Sequence, residues 1–115
     1  TKDSGFRLTK ELLKMSKRPT AIVAANAFMA LGVIFALREK GLKIPTDVAL
    51  VSFDDFEFCA ALEPPLTTLR SVSVRMGEIA ARLLLKRINN RNRKEIEEIY
   101  LPMELMIRKS CGCKG

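Results

Sequence analysis

Phe6, Leu8, Leu12, Leu13 and Met15 fall on a helical period between Ser4 and Met15, and Pro19 closes that run. Thr20 to Ala25 is a short β run of small residues, and Asn26 follows it as a good helix N-cap. Ala27 to Lys40 carries apolar residues around most of its circumference until Gly41 stops it. A helix apolar on two faces must be covered twice, by its own sheet and by something else, which favours a partner. Pro45 and Asp47 precede Val48 to Phe53, a nearly continuous apolar segment of the kind a doubly covered parallel strand shows. Phe56 to Leu62 reads as a short helix, Pro64-Pro65 as a rigid break, and Leu66 to Leu69 as a third extended segment. From Ser73, an N-cap, the residues Val74, Met76, Ile79, Ala80, Leu83, Leu84 and Ile88 form an amphipathic helix that ends at an Asn-rich loop, Asn89 to Lys94. Ile96 to Leu101 and Glu104 to Ile107, divided by Pro102, alternate loosely enough to predict edge strands. The order αβαβ(α)βαββ specifies an α/β domain with a largely parallel sheet flanked by helices.

Composition narrows this picture. A chain of 115 residues with 48% hydrophobic residues can build one domain and bury a core. It starts at Thr1 with no initiating methionine, no signal-peptide pattern and no apolar run long enough to span a bilayer. The expectation is a soluble segment of a longer polypeptide with no membrane partner. The formal net charge of +7 would suit a polyanion, but Arg38, Lys40, Lys43, Arg70, Arg75, Arg82, Lys86 and Arg87 are scattered and not interleaved with aromatics. They read as solvated surface rather than a nucleic-acid contact. Cys59, Cys111 and Cys113 make an odd number of thiols in a chain that needs no staples, which points to a reducing, cytoplasmic compartment. Cys111-Gly-Cys113 could in principle hold a metal or form a redox pair. With no histidine in the chain, and spacing unlike C-x-x-C, the expectation is a frayed tail with two ordinary thiols and no metal.

Candidate chemistry lies where the strands end, because in open α/β sheets ligands bind beyond the strands' carboxyl ends. Three positions qualify: Asn26 after the first strand, Asp54 with Asp55 after the second, and Ser71 after the third. An Asn and an Asp together offer amide donors and several acceptor oxygens, which suits a hydroxyl-rich ligand in a partly dry cleft. Each has a structural reading beside the functional one: Asn26 as a plain N-cap, Asp55 as a cap for the short helix, Ser71 as an ordinary loop residue. An acidic pair at a strand end could also hold magnesium for phosphoryl transfer. The chain has no Gly-rich phosphate loop, no G-x-S-x-G and no histidine base, so no catalytic residue and no cofactor is expected.

The segments Pro19-Thr-Ala-Ile-Val-Ala-Ala-Asn26, Met29-Ala-Leu-Gly32, Ala36-Leu-Arg-Glu-Lys-Gly41, Ile44-Pro-Thr-Asp-Val48, Ser52-Phe-Asp-Asp55, Pro64-Pro-Leu-Thr-Thr68 and Met76-Gly-Glu-Ile-Ala-Ala-Arg-Leu-Leu-Leu85 are collinear over nearly the whole chain. Together with the closing Pro102 to Cys111 they resemble the effector-binding domain of LacI/GalR-type transcriptional regulators, in its carboxyl-terminal part. The resemblance implies a periplasmic-binding-protein-like fold that closes on a small, sugar-like effector. It also implies a homodimer that meets operator DNA only through an amino-terminal helix-turn-helix, which these residues do not match. It assigns ligand contacts to Asn26, to Asp54 and, where many members carry Gln, to Ser71. Ala27 stands where the family usually has Asp, which changes the local chemistry. Dimer contacts map to Met29, Leu31, Phe35 and Leu62. A transport-type sugar binder, or the same domain on another signalling protein, is the rival reading. In the family the helix matching Val74 to Ile88 packs on the amino-terminal subdomain. In this chain its apolar stripe is expected to be covered by a second copy or folded back on the chain's own sheet.

Overall fold

In the computed structural model, residues 1–89 and 96–113 are described. The elements are α1 (Lys2–Leu12), β1 (Ala21–Ala24), α2 (Ala27–Glu39), β2 (Ala49–Phe53), α3 (Glu57–Ala61), β3 (Thr67–Arg70), α4 (Ser73–Asn89) and β4 (Glu104–Met106), followed by a one-turn 3₁₀ helix, Lys109–Cys111. They make two compact units, Thr1–Arg70 with Glu104–Gly115, and Ser71–Met103.

The first unit is built on a four-stranded sheet in the order β1-β2-β3-β4, parallel except for the antiparallel β4. The α/β reading from the sequence therefore holds. Ile22 and Ala24 of β1 and Leu50 of β2 turn one face of the sheet toward α2, whose Ala27, Ala30, Val33, Ile34 and Leu37 meet them in the core. Leu37, Leu50, Leu66 and Val48 are fully buried, at roughly 1.5–3 kcal/mol each relative to exposure.

On its other side α2 packs against α1. The approach is close enough that a Cβ on Gly32 would strike the backbone of Lys2, Gly5 and Phe6, and one on Gly5 would strike the backbone of Met29. The second cover that the two-sided helix demands is thus α1 of the same chain, and α2's apolar circumference does not by itself call for another molecule. The packing also corrects the face of α1. Its buried residues are Gly5 and Thr9, with the Thr9 hydroxyl donating to the Gly5 carbonyl at 2.7 Å, while Leu8, Leu12 and Met15 stay exposed. Small residues bring two backbones together more closely than leucines could. Thr1 caps α1 through its side-chain oxygen, which accepts from the Ser4 amide, so the helix starts earlier and ends sooner than its apolar period suggested.

Two further expectations change. Ile96 to Leu101 forms no strand; Ile96 and Tyr100 are 81% and 88% exposed, and only Glu104–Met106 pairs with β3. Consecutive glutamates at 97 and 98 and the missing N–H of Pro102 leave that segment little to contribute to a ladder. The carboxyl-terminal segment is anchored rather than frayed as far as it is described: buried Ser110 donates its hydroxyl to the Leu50 carbonyl at 2.6 Å and accepts from the Thr67 amide at 2.8 Å. Most of the expected loop Asn89 to Lys94 lies outside the described residues, Asn89 being the last residue of α4.

The second unit contains α4, which has no buried residue. Ile79 and Leu83 are half-buried, lining a shallow hollow with Arg82, Lys86, Glu97 and Ile99, and the Lys86 ammonium pairs with Glu97 at 3.0 Å. Val74, Met76, Leu84 and Ile88 are all more than half exposed. Most of the apolar stripe is thus exposed within this unit.

Candidate functional site

The rim of the sheet is set by the parallel pairing of β1 with β2, in which Ala24 faces Ser52. Asn26 and Asp54 each lie two residues past that pair, so the register brings them out side by side at the carboxyl ends of adjacent strands. Asn26 is extended (φ −161°, ψ 165°) and its Oδ1 accepts the Met29 amide at 2.9 Å, capping α2. The N-cap reading is therefore correct, and it uses only one end of the side chain; no hydrogen bond from the described residues reaches the Nδ2 amide.

Asp54 is in the left-handed region at φ +65°, a conformation that costs most side chains energy and that Asp and Asn tolerate best. Its amide donates to the Leu69 carbonyl at 3.1 Å, and its half-buried carboxylate receives no hydrogen bond from any described residue. The kink separates the two acids. Asp55, its side chain 5% exposed, turns back into the protein and accepts a bidentate pair from Arg108, Nη1 to Oδ1 at 2.7 Å and Nη2 to Oδ2 at 3.1 Å. The Thr68 hydroxyl donates to Oδ1 at 2.7 Å, and Arg70 adds Nε and Nη2 to Oδ2 at 3.1 and 2.9 Å. The Arg108 hydrogen bonds, against the opposing pull of burial and with help from Thr68 and Arg70, hold the Asp55 carboxyl well below the usual carboxylate range. Asp55 does not cap α3, whose N-cap residue is Phe56 with no side-chain cap.

Ser71 belongs to the second unit, where it lines a shallow hollow with Val72, Ser73, Val74, Arg75 and Glu78. Asn26 and Asp54 thus share one rim, whereas Ser71 is described apart from them. Of the residues mapped to a dimer contact, Met29 and Leu62 pack on the chain's own core. Leu31 is half-buried and Phe35 is 49% exposed with the Lys2 ammonium 5.5 Å from its ring centre. Beside them lies an aromatic trio that the sequence reading passed over: Phe28, Phe56 and Phe58, with ring centroids 5.5–5.7 Å apart. Arg108 and Thr68 were also missed as members of the site. The signal available for them was thin, an arginine after an edge strand and a threonine pair in a strand otherwise expected to be apolar.

No helix among the described residues is long and apolar enough to cross a membrane, and no cluster of three metal-ligating groups is found among them. A rim of this kind, an amide donor beside an uncommitted carboxylate with its acidic neighbour locked away, can bind polar groups.

Comparison with known proteins agrees. The model for the periplasmic binding protein-like domain matches residues 1–111. The chain is 42% identical over 108 residues to the lactose operon repressor of Rhizobium radiobacter, covering 94% of each. It is 41% identical over 109 residues to the HTH-type transcriptional repressor PurR of Histophilus somni (strain 129Pt), covering 94% of this chain but 32% of that protein. Among solved structures, a LacI family transcriptional regulator from Enterococcus faecalis V583 with bound ribose superposes with a TM-score of 0.80 at 35% identity, over 96% of this chain and 40% of that one. The chain therefore spans 32–40% of these two longer relatives. Proteins of this kind are transcriptional repressors and not enzymes. By sequence and by fold, this chain belongs to the LacI/GalR-type transcriptional regulators and carries part of their periplasmic-binding-protein-like effector-binding domain.

Proposed function

We propose that the chain senses a small polar, sugar-like effector for a cytoplasmic LacI-type repressor, with Asn26 and Asp54 as the ligand-facing pair and Ser71 as a subsidiary contact. The repressor acts as a homodimer, and operator DNA is met by its amino-terminal module. One observation carries the reading: the β1–β2 register sets a free amide and a free carboxylate side by side at the strands' carboxyl ends, while Asp55 is consumed by Arg108. The ribose bound to the Enterococcus faecalis regulator supports a sugar as the ligand class. Asp54 accepts ligand hydroxyls, and the Asn26 amide donates to their oxygens.

Calorimetry on the intact repressor, starting with ribose and extending to other mono- and disaccharides, tests this. Each charge-assisted hydrogen bond contributes about 1.5–3 kcal/mol, so Asp54→Asn is expected to weaken the best ligand roughly tenfold to a hundredfold. Asn26→Ala removes a neutral hydrogen bond worth about 0.5–1.5 kcal/mol and is expected to weaken binding roughly twofold to tenfold, with an added loss of helix stability from the missing cap of about 1 kcal/mol. Unchanged affinity in both variants would refute the assignment.

A further inference from the structure

Cys111 ends the 3₁₀ turn, and Gly112 at φ +78° swings the chain round so that the Cys113 amide points at the Cys111 sulfur, 3.4 Å away. Glycine alone takes that left-handed conformation freely, so Gly112 is what folds the two cysteines onto each other. The Cys111 thiol also donates to the Arg108 carbonyl at 3.3 Å. Cys111 is half-buried and Cys113 is exposed. Because Ser110 is buried and held at both ends, the pair sits on a fixed stem rather than a loose tail.

The two sulfurs are unequal. Burial works against a thiolate at Cys111, but the neighbouring Thr67 hydroxyl and the Cys113 amide and thiol outweigh it and bring its pKa down. Cys113 is pushed up by the neighbouring Cys111. Cys59, by contrast, is fully buried and raised by desolvation, which leaves it inert. No third metal-ligating group joins the pair among the described residues, so the chemistry open to it is exchange between sulfurs rather than tetrahedral metal binding.

We propose that Cys111-Gly112-Cys113 is a thiol–disulfide exchange site that reacts with small-molecule disulfides. Cys111, as the thiolate, attacks one sulfur of the disulfide; an S–S bond forms to Cys111 and the first small thiolate leaves. Cys113 then gives up its proton and attacks the Cys111 sulfur, and the second small thiolate leaves. In sum two protein thiols and one small disulfide become one protein disulfide and two small thiols. The protein loses two electrons, the small disulfide gains them, and both protons end on the released thiols.

The full reduced chain is incubated with glutathione disulfide, quenched with acid and digested with trypsin, which releases Ser110 to Lys114 as one peptide. The expected product is that peptide two hydrogens lighter and without glutathione. Cys113→Ser should accumulate glutathione on Cys111, since nothing resolves the mixed disulfide. Cys111→Ser should react at Cys113 more slowly near neutral pH, since the lost thiolate fraction outweighs the gain in intrinsic nucleophilicity. Gly112→Ala keeps both thiols and should slow ring closure while leaving the first attack intact, with circular dichroism confirming the fold. Glutathione on both cysteines of the wild-type chain without an internal disulfide would overturn the proposal. So would reaction no faster in the folded chain than in a synthetic Ser110–Lys114 peptide.

Discussion

At Asp55 a carboxylate nearly removed from solvent keeps its charge because Arg108, itself only 16% exposed, meets it with two parallel donors. Replacing Asp55 by Asn leaves that guanidinium largely buried and half-satisfied, at a cost of about 3 kcal/mol. The Arg70 arm, 47% exposed, adds little to this. Folding holds the Asp55 carboxyl below its unfolded value of about 3.9, so on acidification the unfolded chain takes up the proton first. The clamp's contribution is therefore fully present above about pH 5 and is lost as pH falls through 4 and below. Urea unfolding followed between those limits should show a steep loss of stability in the wild type and a flatter profile in Asp55→Asn; parallel profiles would mean that other carboxylates carry the acid sensitivity. The acidic pair was visible in the sequence, since an apolar strand that ends on Asp54-Asp55 brings both acids to the carboxyl rim of the sheet. Which of the two faces outward came only from the family resemblance and not from the local pattern, because the deciding partner, Arg108, arrives from 53 residues away.

Among the elements, the pairing of α1 with α2 shows how far periodicity reaches. Helical spacing located both helices, yet the residues buried on α1 are Gly5 and Thr9, while Leu8 and Leu12 of its period stay exposed. A hydrophobic pattern weighs side-chain size, whereas close helix contact selects for its absence. Gly32 is the test. A methyl group there would meet the α1 backbone, which cannot yield as a flexible side chain could. Alanine ordinarily favours a helix over glycine by about 1 kcal/mol, but overpacking against fixed atoms costs about 1–3 kcal/mol. Gly32→Ala is thus expected to destabilise the chain, lowering the urea midpoint with an unchanged slope. A midpoint at or above wild type would show that α1 can slide away at no cost. The segment Ile96 to Leu101 fails in the opposite sense: loose alternation resembled a strand, and only the long-range pairing of β3 with β4 decides where the edge ends.

For the molecule as a whole, the apolar surface that remains outside bears on association. With the sheet and α1 covering two faces of α2, a third stripe is left: Phe28, Leu31 and Phe35 recur at helical spacing, and Phe28 and Phe35 are each about half exposed. The rings of Phe56 and Phe58 extend it. This stripe is a narrower and better reason to expect self-association than the helix's overall apolarity, which α1 already accounts for. The sheet has an open face of its own, where Val23, Phe53 and Leu105 are 67%, 43% and 59% exposed. Burying such side chains is worth roughly 1.5–3 kcal/mol each, enough to join two chains once the cost of association is met. A net charge of +7 opposes the encounter, so added salt should strengthen it. In sedimentation, the 115-residue chain is expected to pass from monomer to dimer as concentration rises, and further at higher salt. Leu31→Glu, which places an unpaired charge in the middle of the α2 stripe, should hold it monomeric. Leu31 is the better choice than Leu62, whose contact with the core would confound dissociation with unfolding. A wild-type chain that stays monomeric removes the surface altogether, and a Leu31→Glu chain that still dimerises assigns the contact to the open sheet face or to the α4 stripe instead.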